Sequence, residues 1–147
     1  VPALRRTIGI VFQDFKLLPT RTVAENVAFA LEVTGTPRRR IGPAVERALA
    51  VVGLAEQAGQ LPTTLSGGEQ QRTAIARALV HEPRLIIADE PTGNLDPRIS
   101  VDIIDLFEGF NLRGTTVVIA THDVARALER GKRIVRLEGG RLREGLL

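Results

Sequence analysis

Three short runs of β-branched and aliphatic residues constrain this chain most: Thr7 to Phe12 (TIGIVF), Leu85 to Ala88 (LIIA) and Thr116 to Ala120 (TVVIA). Such runs read as buried strands. Segments of helical period separate them, and strands alternating with helices imply a parallel sheet covered on both faces. Between residues 22 and 65 helices follow one another without a strand, so that stretch reads as a helical unit inserted into an α/β core. Its first helix opens on the capping box Thr22-Val-Ala-Glu25 and runs to about Val33. The second opens with Pro37 at its first helical position and ends at Gly53. Ile41, Ala44, Val45, Ala48, Leu49 and Val52 form its buried stripe.

A second capping box, Ser66-Gly-Gly-Glu69, starts a helix that continues to about Val80, short of Pro83. Asp96-Pro97 opens another, whose core side holds Ile99, Ile103, Ile104, Phe107 and Phe110 and which stops at Gly114. Asp123 is placed to cap a short helix to Arg130, and Arg133 to Leu137 reads as a last strand before a Gly139-Gly140 turn. The expected division is 1–21 (strand and loop), 22–65 (helical unit) and 66–147 (the rest of the core).

The chemistry gathers at the strand ends. Four apolar residues in Leu85 to Pro91 (LIIADEP) drive the strand into the sheet, so Asp89 and Glu90 emerge at its carboxyl edge, where open α/β sheets bind ligands. Asp89 there suits a Mg²⁺ ion held through water, and Glu90 suits polarising an attacking water. Taken alone, the pair fits a solvated acidic turn equally well. In Leu65 to Arg72 (LSGGEQQR), Ser66, Gly67 and Gly68 place bare backbone and a hydroxyl at a helix N-terminus, an anion site or a simple cap. On the anion reading, glycine is needed because a Cβ would hold a phosphate away. Gln13, after the first strand, can offer a carboxamide oxygen to a metal or water. His122, just past TVVIA, is expected beside Glu90, where a γ-phosphate sensor would stand.

Composition narrows the partners. The net charge of +3 comes almost wholly from Arg, in short clusters at Arg5-Arg6, Arg38-Arg39-Arg40 and Arg141 with Arg143, which read as solvated faces. With no Trp, no Tyr and five Phe, the chain lacks stacking platforms for single-stranded nucleic acid, and no nucleic-acid partner is expected. There is no Cys for disulfide or thiolate chemistry. No apolar run reaches the ~18 residues that cross a bilayer.

The order Gln13, LSGGEQQR, LIIADEP, Gly93-Asn94-Leu95-Asp96, THD resembles the nucleotide-binding subunits of ABC transporters over essentially the whole chain. In that family these are the Q-loop, signature, Walker B, D-loop and H-loop. VFQDFKLLPTRTVAENVAFAL, DEPTGNLD and FEGFNLRGTTVVIATHD look like the FtsE-type cell-division branch. Asp14-Phe15 and Phe107 to Asn111 lean that way from the lipoprotein-releasing and macrolide-exporting branches, which remain alternatives along with a truncated docking module.

The resemblance implies a P-loop NTPase (RecA-like) fold with an inserted helical subdomain, working as a homodimer with ATP and Mg²⁺. Ser66, Gly67, Gly68 and Gln70 would face the nucleotide across the dimer. Asp89 and Gln13 would position Mg²⁺, Glu90 the water and His122 the γ-phosphate, while Asn94 and Asp96 would carry dimer contacts. An integral membrane partner of the FtsX type would dock near Gln13 to Asn26, with Leu17, Leu18 and Pro19 exposed, on the cytoplasmic face of the membrane.

No G-x-x-x-x-G-K-[ST] loop occurs in the sequence. In the family it precedes the Q-loop strand, so it is expected upstream of Val1, and the 147 residues alone are expected neither to bind ATP tightly nor to turn it over. The strand that carries it is implied to lie between TVVIA and RIVRL, leaving apolar surface bare in its absence and the chain prone to aggregate.

Overall fold

The structure, a computed structural model, describes residues 7–144. The Arg5-Arg6 cluster lies outside them. Strand β1 (Ile8–Val11) leads through a loop to helix α1 (Val23–Val33) and helix α2 (Arg38–Val52), then by two short 3₁₀ turns to α3 (Gly67–Leu79). Strand β2 (Leu85–Asp89), helix α4 (Pro97–Leu112), strand β3 (Thr116–Ala120) and helix α5 (Val124–Glu129) follow, and β4 (Val135–Glu138) and β5 (Arg141–Glu144) close the order.

Local sequence sets the helix starts. At Thr22 and Ser66 both halves of the capping box form: the hydroxyl accepts from the amide three residues on, and the Glu carboxylate accepts from the cap's own amide. These backbone hydrogen bonds, with the threonine or serine hydroxyl second, hold the Glu25 and Glu69 carboxyls below the ordinary 4.5. Asp96 caps α4 by accepting from Arg98 and Ile99. Pro37 is the cap of α2 rather than its first helical residue, since its ψ of 133° is still extended. Gly53 ends that helix in the left-handed conformation, at φ 73°.

β1, β2 and β3 form a parallel sheet in that order, and β4 pairs with β5 in a separate antiparallel hairpin. The expectation of cover on both faces is corrected. Strand order advances in one direction only, and right-handed crossovers then put every connecting helix on the same side. Val11, Ile86, Ala88, Ile75, Ala76, Ile103, Phe107 and Phe110 are buried on that side, continuous with the core of α1 and α2. On the other side Ile10, Ile87 and Val118 lie in register across the three strands and are 49, 37 and 51% exposed. LIIA is therefore apolar on both faces but buried on one. β3 has no strand partner on its outer edge among the described residues. No helix among them is long and apolar enough to cross a membrane.

Helix α3 is the hinge of the packing, touching α1, α2 and β1. A Cβ at Gly9 would lie 2.5 Å from the Ala78 carbonyl oxygen, so the strand and the last turn of α3 meet backbone to backbone. His81, just beyond α3, sits 3.3 Å by its Nε2 from the Ile8 carbonyl, and burial depresses its pKa.

Candidate active site

The parallel register pairs Asp89 with Ala120, so the residues that follow each strand leave the same edge of the sheet side by side. Glu90 takes a left-handed conformation, φ 44°, which costs an ordinary side chain about 1–2 kcal/mol. Its amide is held by the Ala120 carbonyl at 2.9 Å. The carboxylate meets His122: Oε1 accepts from the His122 amide at 2.8 Å and lies 2.7 Å from Nδ1, while Thr121 Oγ1 donates to Oε2 at 3.3 Å. With a proton on Nδ1, the ring is oriented by Glu90 and its Nε2 stays available, and the imidazole is largely exposed. Thr121 was not singled out from the sequence, although its place beside His122 was its signal.

Asp89, by strand alternation, shares the uncovered face with Ile87 and is exposed. Gln13 lies across the Gly93 loop: a Cβ at Gly93 would come within 2.9 Å of Gln13 Nε2, so glycine there admits the carboxamide. Gln13, Gly93 and the Glu90 main chain are thus brought together, and the Gly93 amide donates to the Glu90 carbonyl at 3.1 Å.

Ser66 and Gly67 are exposed at the start of α3, but Gly68 is buried. Gly68 is also constrained from within the fold: a Cβ there would meet Ile99 Cγ2 at 2.8 Å, where α3 packs on α4. Gly68→Val is expected to destabilise the fold by about 1–3 kcal/mol through this clash, read as a fall in urea midpoint, with a smaller loss when Ile99 is shortened to Ala, which removes Cγ2. A Cβ at Gly67 would touch Leu95 Cδ2 at 3.4 Å, so the signature start abuts the Asn94 to Asp96 loop. Gln70 Nε2 donates to the Leu65 carbonyl at 3.2 Å. Asn94 is exposed, and Asp96 has its Oδ1 engaged in capping.

Three residues passed over in the sequence support these loops. Gln71, fully buried, donates from Nε2 to the Pro91 carbonyl at 2.5 Å and ties α3 to the acidic loop; its Oε1 has no partner among the described residues. A polar residue on the Gly68, Gln71, Ile75 stripe was the signal for it. Arg77 donates to the carbonyls of Phe15 and Lys16. Asn26, also fully buried, accepts from the Leu18 amide at 2.7 Å, and its Nδ2 reaches the carbonyls of Leu18, Arg21 and Thr22 at 2.9–3.1 Å.

The expected exposure of the apolar residues Leu17, Leu18 and Pro19 holds only in part. Asn26 faces inward, Leu17 and Leu18 are half-buried by the loop's own fold, and of the three apolar residues only Pro19 is exposed. A groove of about 260 Å³ opens there, lined among others by Phe15, Lys16, Pro19, Pro62 and Gln70.

A parallel sheet with an acidic pair at its carboxyl edge, a histidine on that pair and a capped glycine start packed beside the next loop defines an ATP-binding cassette, and the chain belongs to the ABC transporter family, whose model matches residues 1–93. Within that family it is similar over nearly its full length to the cell-division ATP-binding proteins FtsE. The Mycobacterium tuberculosis (H37Rv) protein is 56% identical over 142 residues, 97% of this chain and 62% of the relative. That of Streptococcus pneumoniae serotype 2 (D39) is 52% identical over 142 residues, with the same coverages. That of Escherichia coli K12 is 49% identical over 146 residues, 99% of this chain and 66% of the relative. The chain thus spans about 62% of the length of the first two. A solved structure, the dimeric post-hydrolysis state of the ATP-binding cassette MJ0796 bound to ADP and Pi, superposes with a TM-score of 0.81 at 37% identity, covering 97% of this chain and 65% of that one.

Proposed function

We propose that this chain supplies the water-activating and signature halves of an ATP-hydrolysing pair of FtsE type, acting in cell division with an integral membrane partner. The Glu90–His122 contact of 2.7 Å at the sheet edge carries the reading, because it joins a base to a phosphate-facing imidazole. Glu90 orients and polarises the attacking water, and His122, held by Glu90, meets the γ-phosphate. Ser66, Gly67, Gly68 and Gln70 face the nucleotide of the second subunit. Asn94 and Asp96 line the contact between the two copies.

Among the described residues no three acidic or histidine side chains converge into a cage for a metal. The exposed Asp89 carboxylate and the Gln13 carboxamide instead fit Mg²⁺, which takes one or two protein oxygens beside substrate phosphates and waters. When bound, the ion neutralises phosphate charge; Asp89 and Gln13 hold and orient it.

Residues 22–65 read as the inserted helical unit, and the groove between it and the Gln13 loop suits a helix of an FtsX-type partner on the cytoplasmic face. The 147 residues contain no G-x-x-x-x-G-K-[ST], so this polypeptide alone is expected to show no turnover with Mg²⁺-ATP.

The signature face is tested by mixing the chain with full-length FtsE of Mycobacterium tuberculosis. ATP is expected to make the two co-elute on a sizing column, and Ser66→Arg to abolish it. Co-elution indifferent to ATP would count against a nucleotide held between them.

A further inference from the structure

Arg77 stands in the last turn of α3, where burial lowers its pKa. Its guanidinium is used on main chain: Nη1 donates to the Lys16 carbonyl at 2.7 Å and Nη2 to that of Phe15 at 2.8 Å, across 61 and 62 residues of sequence. Phe15 and Lys16 are consecutive left-handed residues, φ 59° and 49°, and neither is glycine. Two successive residues in that region turn their carbonyls to the same side, and a planar two-pronged donor matches such a pair. Their own amides make only short-range bonds, Phe15 to the Phe12 carbonyl at 3.3 Å and Lys16 to that of Asp14 at 2.6 Å. The guanidinium therefore supplies the long-range hold on an unfavourable backbone. Its own base is fixed, because Gly9 and Ala78 bring β1 and the last turn of α3 into backbone contact.

We propose that Arg77 is a positioning residue that locks the Gln13 loop to helix α3 and thereby sets where Gln13 stands relative to Glu90. Gln13 lies two residues before the clamped pair and against Gly93, whose amide is bonded to the Glu90 carbonyl. Phe15 and Lys16 also line the 260 Å³ groove with Pro62 and Gln70. A partner pressing on that groove would load the very segment that Arg77 holds, and the load would reach Gln13. The inference deepens the ATPase reading above and rests on it for the meaning of Gln13, though not for the clamp.

The test is hydrogen exchange and side-chain amide NMR on the chain with Arg77→Ala and Arg77→Lys. In the alanine variant, amides of residues 13–17 are expected to exchange about tenfold faster while α3 stays protected. The Gln13 side-chain resonances should shift, and lysine, which can reach one carbonyl, should restore part of both effects. Unchanged loop exchange in Arg77→Ala would overturn the proposal. Should alanine loosen β1 and α3 alike, the lysine variant decides: acceleration confined to 13–17 supports the clamp, and none there overturns it. No readout involves nucleotide, so this result and the fate of the ATPase assignment are separable.

Discussion

Glu90→Gln is expected to lower ATP turnover by about 10²–10⁴-fold while leaving nucleotide-filled pairs that fail to separate. The change is isosteric. The carboxamide oxygen can still accept from the His122 amide, now 2.8 Å from the carboxylate, and the backbone stays held by Ala120 at 2.9 Å. What disappears is the negative charge beside His122 Nδ1 that, on the proposed reading, polarises water. The residue is therefore separable from the fold, which few acidic positions in a packed site are. Because these 147 residues contain no phosphate loop, the assay calls for a chimaera that joins this chain to the part of the Mycobacterium tuberculosis relative that it does not match. Phosphate release measures the loss, and elution volume with ATP measures the trapped pair. Turnover at the unmutated rate would remove Glu90 from the mechanism.

Asn26→Ala is expected to cost about 1–3 kcal/mol, the effect of leaving part-buried main-chain groups of Leu18 and Arg21 without this partner. One side chain satisfies the Leu18 amide and three carbonyls of the loop between β1 and α1. Water can reach the rim at Leu18 and relieve part of the loss, which keeps the figure below the sum of separate bonds. Urea denaturation gives the magnitude. Asn26→Asp keeps the acceptor for the Leu18 amide but sets a buried carboxylate against three carbonyl oxygens, and should cost at least as much as alanine. Pro19 and its neighbours in the loop should lose definition in step. Equal stability of the Ala variant would show that the loop holds itself.

What the sequence made legible follows the range of each interaction. Capping boxes at Thr22 and Ser66 and the stop at Gly53 are local, and they form where four adjacent residues dictate. The meeting of Glu90 with His122 was legible because both follow apolar runs, and parallel strands must deliver their ends to one edge. The packing constraint on Gly68 was silent because its partner Ile99 lies on another helix, and a glycine's spelling is the same whatever approaches it. Asn26 and Arg77 were silent for a like reason: each serves main-chain atoms, which every residue has, so no pattern betrays the partner. The one-sided cover of the sheet needed strand order, which alternation alone does not carry.

Asp89 projects from the same side of the sheet as Ile10, Ile87 and Val118. Whatever settles on that oily strip also displaces water from around the carboxylate, and a drier surrounding strengthens its pull on a cation. Adhesion along the strip and the electrostatic force at its end are therefore one adjustable quantity. On the reading proposed for Asp89, a change as mild as Val118→Thr would alter its hold on a cation.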